Sequence, residues 1–246
     1  MRNIWTIANR EYKLYFSSPA AYLITFMLLL VLGIFFFLNL QMASIQQFAP
    51  GVQITLGPMA TLLMLATPAV TTRLLAEEQR MGTIELLLTA PVRDWELVVG
   101  KWLGAFLFFL TIILITLIYP LVLNQLVDPG IDQGPLLSGY LGVMLLSAAL
   151  IAIGVAISSF FSNQIAAFAT TMGVLILLWW VIGPIAQNAG PAGVGSELVG
   201  YLDLSEHYFS NLLRGVIDLR DIVYYLSVTA LALFIGTMSV EMRRWR

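Results

Sequence analysis

The chain has 246 residues, 59% of them hydrophobic and only 11% charged, with 12 basic against 14 acidic side chains and a net charge of −2. A soluble domain carries about 25% charged residues, and surface-to-volume scaling gives a soluble fold of this size no way to hide so much apolar surface. The composition excludes a soluble globular enzyme, a disordered chain and a coiled coil, and points to a polytopic membrane protein. The absence of cysteine and the single histidine exclude a disulfide scaffold, Cys-ligated zinc, an iron–sulfur cluster, a thiol nucleophile and a bis-histidine haem within one chain.

In chain order, residues 2–17 are the first predicted element, an amphipathic helix. Ile4, Ala8, Tyr12 and Tyr15 share one face with Trp5 and Phe16 beside it, while Arg2, Asn9, Arg10 and Lys13 tend to the other. Pro19 ends or bends it. Such a helix suits the membrane interface, as an anchoring flank or as a mechanical part.

Charge-free intervals then locate the membrane crossings: residues 14–72, 102–127, 133–196 and 222–240. A crossing takes about 20 apolar residues, so the intervals hold two, one, two and one. The two long intervals break at the polar stretch Asn39–Gly51 and at Ser158–Gln164. The predicted spans are 20–40, 55–75, 102–126, 138–160, 165–187 and 222–241. They should be helices, giving an all-α protein, because an open sheet leaves unpaired backbone groups in lipid and the runs lack the alternation of a barrel. The first apolar run reads as an uncleaved span and not as a signal peptide. Ten of the 12 Lys and Arg residues fall on the side of the termini, with only Arg214 and Arg220 opposite. The positive-inside rule therefore places both termini in the cytoplasm and the chain in the cytoplasmic (inner) membrane.

The segment 73–101 between spans two and three is dense in charge. Gly82 is suited to end one helix in the left-handed conformation and Thr83 to cap the next. Ile84–Leu88 make a short apolar helix, Pro91 stops it, and Asp94 is a plausible N-cap for the third span, with Glu96 in its first turn. A helix so short and apolar needs a groove, on this protein or on a partner. The outer segment 186–221 opens with a Gly-rich run. Its residues 208–217 have the periodicity of short helices dipping into the outer leaflet, and His207, near Asp203 and Glu206, reads as a solvated loop histidine.

The chemistry of an engine is missing. There is no phosphate loop: Val99-Gly100-Lys101-Trp102 lacks the preceding glycine and the Ser/Thr. Neither a His-Glu-x-x-His zinc motif nor a Gly-x-Ser-x-Gly elbow occurs. The spans carry no ionisable residue near their centres, which argues against a proton- or sodium-driven carrier and a charge-lined channel. Pro68, Pro120 and Pro184 each free a backbone carbonyl, which shapes a cavity or merely curves the helix. Small residues at Ala148, Ala152 and Ala156, at Ala166 and Thr170, and at Ala169 and Gly173 allow close helix approach, within one chain or between two.

Glu77-Glu78-Gln-Arg80-x-Gly82-Thr83-Ile-Glu85-Leu-Leu-Leu-x-x-Pro91, followed by Gly100-Lys101, resembles the cytoplasmic signature of ABC type-2 exporter permeases. Within that class it is most similar to the gliding-associated branch. The resemblance implies that 76–92 is a coupling helix docking on a separately encoded ATPase subunit through Glu77, Glu78, Arg80, Gly82, Thr83, Glu85, Leu87 and Pro91. In that role the glutamates pair with basic residues of the partner, Leu86–Leu88 anchor the helix, and Gly82 and Pro91 fix its ends. Residues 2–17 become the connecting helix, and 186–221 the extracellular or re-entrant cap of the exit. Two permease copies, identical or related, pair with two ATPases. ATP and magnesium sit on the ATPase, with no cofactor, metal or catalytic residue in this chain. An envelope accessory protein is a possible further partner, and nucleic acid is not expected. The uncharged Tyr, Trp, Phe and Met of the spans suggest a lipid-like or amphipathic cargo. A mechanotransmitting or scaffold subunit of an envelope complex and an ATP-independent carrier are the other readings.

Overall fold

A computed structural model describes residues 2–81, 92–188 and 200–244, and among them the regular structure is helical. Helix α1 covers Arg2–Ser17 and α2 covers Pro19–Gln46. They are followed by α3 at Gln53–Thr71 and the short α4 at Ala76–Arg80. The third crossing is divided into α5, Asp94–Ile115, and α6, Ile118–Leu126. Helix α7 runs over Gln133–Phe160 and α8 over Gln164–Ile176, continued by a π-helical stretch Leu177–Val181 and α9, Ile182–Asn188. The outer segment contributes α10, Leu204–Ser210, and one 3-10 turn, Leu212–Arg214, before α11, Leu219–Arg244. Six helical stretches are long and apolar enough to cross a membrane: Pro19–Gln46, Gln53–Arg80, Asp94–Leu126, Gln133–Phe160, Gln164–Ala186 and Leu219–Met242. The count agrees with the charge-free intervals.

Several boundaries differ from the sequence expectation, each for a local reason. The polar stretch from Asn39 does not break the first span, because α2 continues to Gln46 and ends on Gln47 in the left-handed conformation. Two of its polar side chains bond inside the helix: Asn39 donates to the Phe35 carbonyl at 2.8 Å and Ser44 to that of Gln41 at 3.1 Å. Ser158 and Ser159 are likewise helical and buried. The turn comes at Phe161, and Asn163 caps α8 by accepting from the Ile165 N–H at 2.9 Å. Asp94 is not the cap of the third span. The cap is one residue earlier, at Arg93, whose N–H is taken by the Glu96 carboxylate at 3.1 Å.

Pro58 and Pro68 sit inside α3 without breaking it, whereas Pro120 and Pro184 mark changes in their helices. Pro120 has no N–H to offer the Thr116 carbonyl, and the third span breaks there. That carbonyl instead accepts from the Tyr119 N–H at 3.0 Å and the Tyr140 hydroxyl at 3.1 Å. Before Pro184 the helix widens to π geometry, and the Trp179 carbonyl accepts from the Ser205 hydroxyl at 3.2 Å.

Helix α7 is the axis of the bundle: 72% of its apolar window is buried, against 17% for α2, which is largely turned outward. Helix α11 lies along α7, and α3 and α5 pack across it. Glycine sets the closest of these contacts. A Cβ on Gly154 would strike the Thr71 side chain, and one on Gly139 would lie 2.5 Å from Leu56 Cδ1.

At the end of the bundle away from the termini, the outer segment plugs into the helices. Tyr208 and Leu212 are fully buried against Gly142, and the Ser138 hydroxyl donates to the Leu212 carbonyl at 2.7 Å. His207 is not a solvated loop residue. Its Nδ1 lies 2.8 Å from Asp221 Oδ1 and its Nε2 3.1 Å from the Tyr201 carbonyl, with the ring stacked at 3.9 Å on Tyr224. Asn211 donates to the other oxygen of Asp221 at 2.9 Å, so this buried carboxylate ties the outer segment to α11. The Gly-rich run Asn188–Gly195 lies, apart from Asn188 at the end of α9, outside the described residues.

Candidate functional site

At the opposite end, α1 folds back along the start of α5. The sequence sets this contact through Gly100 and Gly104, four residues apart and so on one face. A Cβ on Gly100 would lie 2.8 Å from Ile7 Cβ, and one on Gly104 would lie 2.6 Å from Glu11 Cβ and 3.0 Å from the Ala8 carbonyl. With no side chain in the way, the two helices meet nearly backbone to backbone, as small residues permit between apolar helices. Tyr15 stacks on Phe108 with centroids 4.7 Å apart, and Tyr12 and Thr111 share a hydroxyl hydrogen bond of 3.0 Å. Tyr15 is buried and donates to the Val70 carbonyl at 2.9 Å, which joins α1 to the end of α3. Burial first, and the Glu11 carboxylate second, push its hydroxyl well above the ordinary tyrosine range, so it remains a donor.

The close approach puts Glu11 inside. Its carboxylate meets Lys101 of α5, and Glu78 of α4 reaches the same ammonium: Lys101 Nζ donates to Glu11 Oε1 at 2.9 Å and to Glu78 Oε1 at 2.7 Å. The Lys101 side chain is only 2% exposed. An ammonium so deep persists only when paired, and here it is paired to two separate helices. One buried cation thus holds three elements together: the N-terminal helix, the segment after span two, and the third span.

Helix α4 has a second anchor. Its first N–H groups find their acceptor on another helix: the buried Ser158 hydroxyl of α7 accepts from Leu75 at 3.2 Å and from Ala76 at 3.1 Å. Gln79 donates to the Ser159 carbonyl at 2.9 Å, and Ser239 of α11 donates to the same carbonyl at 3.1 Å. Ser158→Ala is therefore expected to destabilise the protein by roughly 1–3 kcal/mol, since two buried donors lose their acceptor. Ser158→Thr, which keeps the oxygen, should retain more of the stability. Thermal unfolding in detergent checks this.

Of the eight docking residues expected from the sequence, the structure places Glu77, Glu78 and Arg80 on α4, while Gly82, Thr83, Glu85, Leu87 and Pro91 lie outside the described residues. The three do not present alike. Glu78 turns inward to Lys101, Glu77 is half-exposed 3.6 Å from Arg73, and Arg80 is exposed. Sequence reasoning missed Glu11, Lys101 and Ser158. A signal existed for the first two: Glu11 lies in helical register with Ala8 and Tyr15 on the apolar face, and Gly100-x-x-x-Gly104 brackets Lys101. Nothing in the local sequence marks Ser158 as the cap of a distant helix.

Between α1, the start of α2 and α4 lies a cavity of about 680 Å³. Its lining includes Arg10, Leu14, Ser18, Arg73, Glu77 and Met81, above a floor formed by the Lys101 cluster.

Six apolar crossings, with an ion-paired joint at the end that carries the termini, define a polytopic membrane protein in which the short helix after span two is held to its own bundle. Residues 38–194, more than half of the chain, match the model of the ABC-2 family transporter proteins, and the chain belongs to that family. It is the membrane permease component of such a transporter. No curated relative matches the chain.

Proposed function

We propose that this permease pairs with a separate ABC ATPase, which binds ATP and magnesium, and converts ATPase movement into opening of an outward path. Segment 76–92 is the coupling helix in this reading, and Glu77, Arg80, Gly82, Thr83, Glu85, Leu87 and Pro91 form its docking face. Glu78 acts from behind, holding that helix to Lys101. Helix α1 is the connecting helix, both termini are cytoplasmic, and a second permease copy completes the transporter. The cargo is amphipathic or lipid-like, in keeping with uncharged, aromatic-rich spans. The likeness to the gliding-associated branch rests on the sequence resemblance alone: the Glu77–Pro91 spacing followed by Gly100-Lys101, with the basic N-terminal helix, six spans and long outer loop around it.

The observation that carries this reading is the Lys101 cluster. A push on α4 cannot be absorbed locally, because Glu78 shares its ammonium with Glu11 of α1 and the ammonium itself belongs to α5. Displacement of the segment therefore moves three elements as one, as a force-transmitting joint requires.

The test is co-purification from native membranes. A phosphate-loop ATPase should elute with the wild-type chain and be lost from a Glu85→Arg, Leu87→Asp variant that leaves the Lys101 cluster untouched. If no ATPase accompanies either protein in mild detergent, the proposal fails.

A further inference from the structure

The cavity beside α1 has features that the transmission of force does not use. It opens where the charge-free stretch 14–72 begins and ends, with Leu14, Ser17 and Ser18 on one wall and Arg73 on the other. In the interfacial reading of α1, this is the level at which hydrocarbon gives way to headgroups. Its floor joins one ammonium to two carboxylates, Lys101 with Glu11 and Glu78, which formally leaves one negative charge over. On the rim, the positive charge of Arg10 acts on Glu78 and offsets that surplus, yet its guanidinium has no hydrogen bond or close ion pair among the described residues. Arg73 gives one N–H to the Ser18 hydroxyl at 2.9 Å and approaches Glu77 at 3.6 Å, which leaves most of the five donors of a guanidinium available. Beside these donors stand two apolar side chains, Leu14 at 48% and Met81 at 62% exposure.

From this arrangement we propose that the cavity holds the headgroup of a zwitterionic phospholipid carrying a primary ammonium, of the phosphatidylethanolamine kind. Its phosphate lies against Arg10 and Arg73, and its ammonium lies near Glu77. Guanidinium groups match phosphate oxygens in bidentate geometry. The carboxylate on the same rim favours a headgroup with its own cation over a purely anionic one. A bare phosphate is far smaller than about 680 Å³ and leaves Leu14 and Met81 uncovered, whereas the glycerol and upper acyl carbons of a lipid cover both. Because Glu77 and Met81 belong to the first part of the coupling segment, a bound lipid braces that part against α1. The inference rests on the interfacial reading of α1 and needs no ATPase, so its test uses the full-length permease alone.

Delipidated protein in detergent is titrated with short-chain phosphatidylethanolamine, short-chain phosphatidylglycerol and inorganic phosphate, and bound molecules are counted by native mass spectrometry. Phosphatidylethanolamine should bind as one retained molecule and more tightly than phosphatidylglycerol. Arg10→Ala should weaken it roughly tenfold, as loss of a charged hydrogen-bond partner does, and Arg10→Ala with Arg73→Ala should abolish retention. Arg214→Ala, at the far end of the molecule, should change nothing. The single Arg10 variant keeps the test decisive if loss of the Arg73 contacts impairs folding, because Arg10 is exposed. Equal binding by wild type and Arg10→Ala overturns the site. Equal or tighter binding of phosphatidylglycerol overturns the headgroup assignment. Competition by inorganic phosphate at matching concentration reduces the cavity to an anion site and overturns the lipid.

Discussion

Lys101→Met is expected to cost the folded protein about 3–5 kcal/mol, the usual penalty for removing one partner of a buried ion pair. The methionine fills the space of the lysine stem but leaves the Glu11 and Glu78 carboxylates in a site with no ammonium between them. Both then have to be protonated or rehydrated, and either route pulls α1 and α4 away from α5. The measurement is unfolding in detergent, followed by tryptophan fluorescence. A triple variant, Lys101→Met with Glu11→Gln and Glu78→Gln, should recover most of the loss, because neutralising all members of a buried cluster removes the uncompensated charge. If the single variant is as stable as wild type, the cluster is not what joins the three helices. If the triple variant stays as unstable as the single, the loss comes from packing and not from charge.

The second large effect is expected at Gly104. A leucine there places its Cβ 2.6 Å from Glu11 Cβ and 3.0 Å from the Ala8 carbonyl. Neither obstacle is the flexible end of a side chain, so α1 has to lift. Overpacking of this kind costs roughly 1–3 kcal/mol, and here it also opens the Glu11–Lys101 contact. The cysteine-free sequence makes the movement measurable, since spin labels at Asn9→Cys and Trp95→Cys are the only thiol sites. Both residues are exposed, on α1 and at the start of α5. The distance between labels should lengthen and broaden in Gly104→Leu and do so to a smaller extent in Gly104→Ser, because any Cβ meets the same obstacles and the leucine adds further bulk behind it. An unchanged distance in the leucine variant means that α1 does not rest on that glycine.

The two variants separate a charge contact from a backbone contact at one joint, and they show why only part of that joint was legible in the sequence. Glu77, Glu78 and Arg80 stand out in a charge-poor chain, which marks the segment after span two as a docking candidate in the sequence. Glu11 does not, because one carboxylate in a basic amphipathic helix looks solvent-facing until the helix is laid on its partner. Lys101 likewise reads as an ordinary cation at the edge of a span. Whether it faces water or two glutamates depends on the distance between α1 and α5, which Gly100 and Gly104 decide jointly. His207 followed the same pattern: its acid partner was not the neighbouring Glu206 but Asp221, 14 residues on and across a turn.

The helix ends tell a similar story at smaller scale. Asn39 and Ser44 resemble a loop in composition, yet their side chains bond to carbonyls within their own helix. A polar run can thus stay helical at the membrane edge without any outside partner.

What the sequence determined by itself was the number of crossings, their helical form and the excess of positive charge on the side of the termini. Lipid imposes these, because a backbone without water must bond to itself and a charge must stay out of hydrocarbon. What only the tertiary structure decided was which buried polar groups meet: Lys101 with Glu11 and Glu78, Ser158 with the start of α4, and His207 with Asp221. Those pairings join residues far apart in the chain, and their geometry is set by helix packing distances that no single segment encodes.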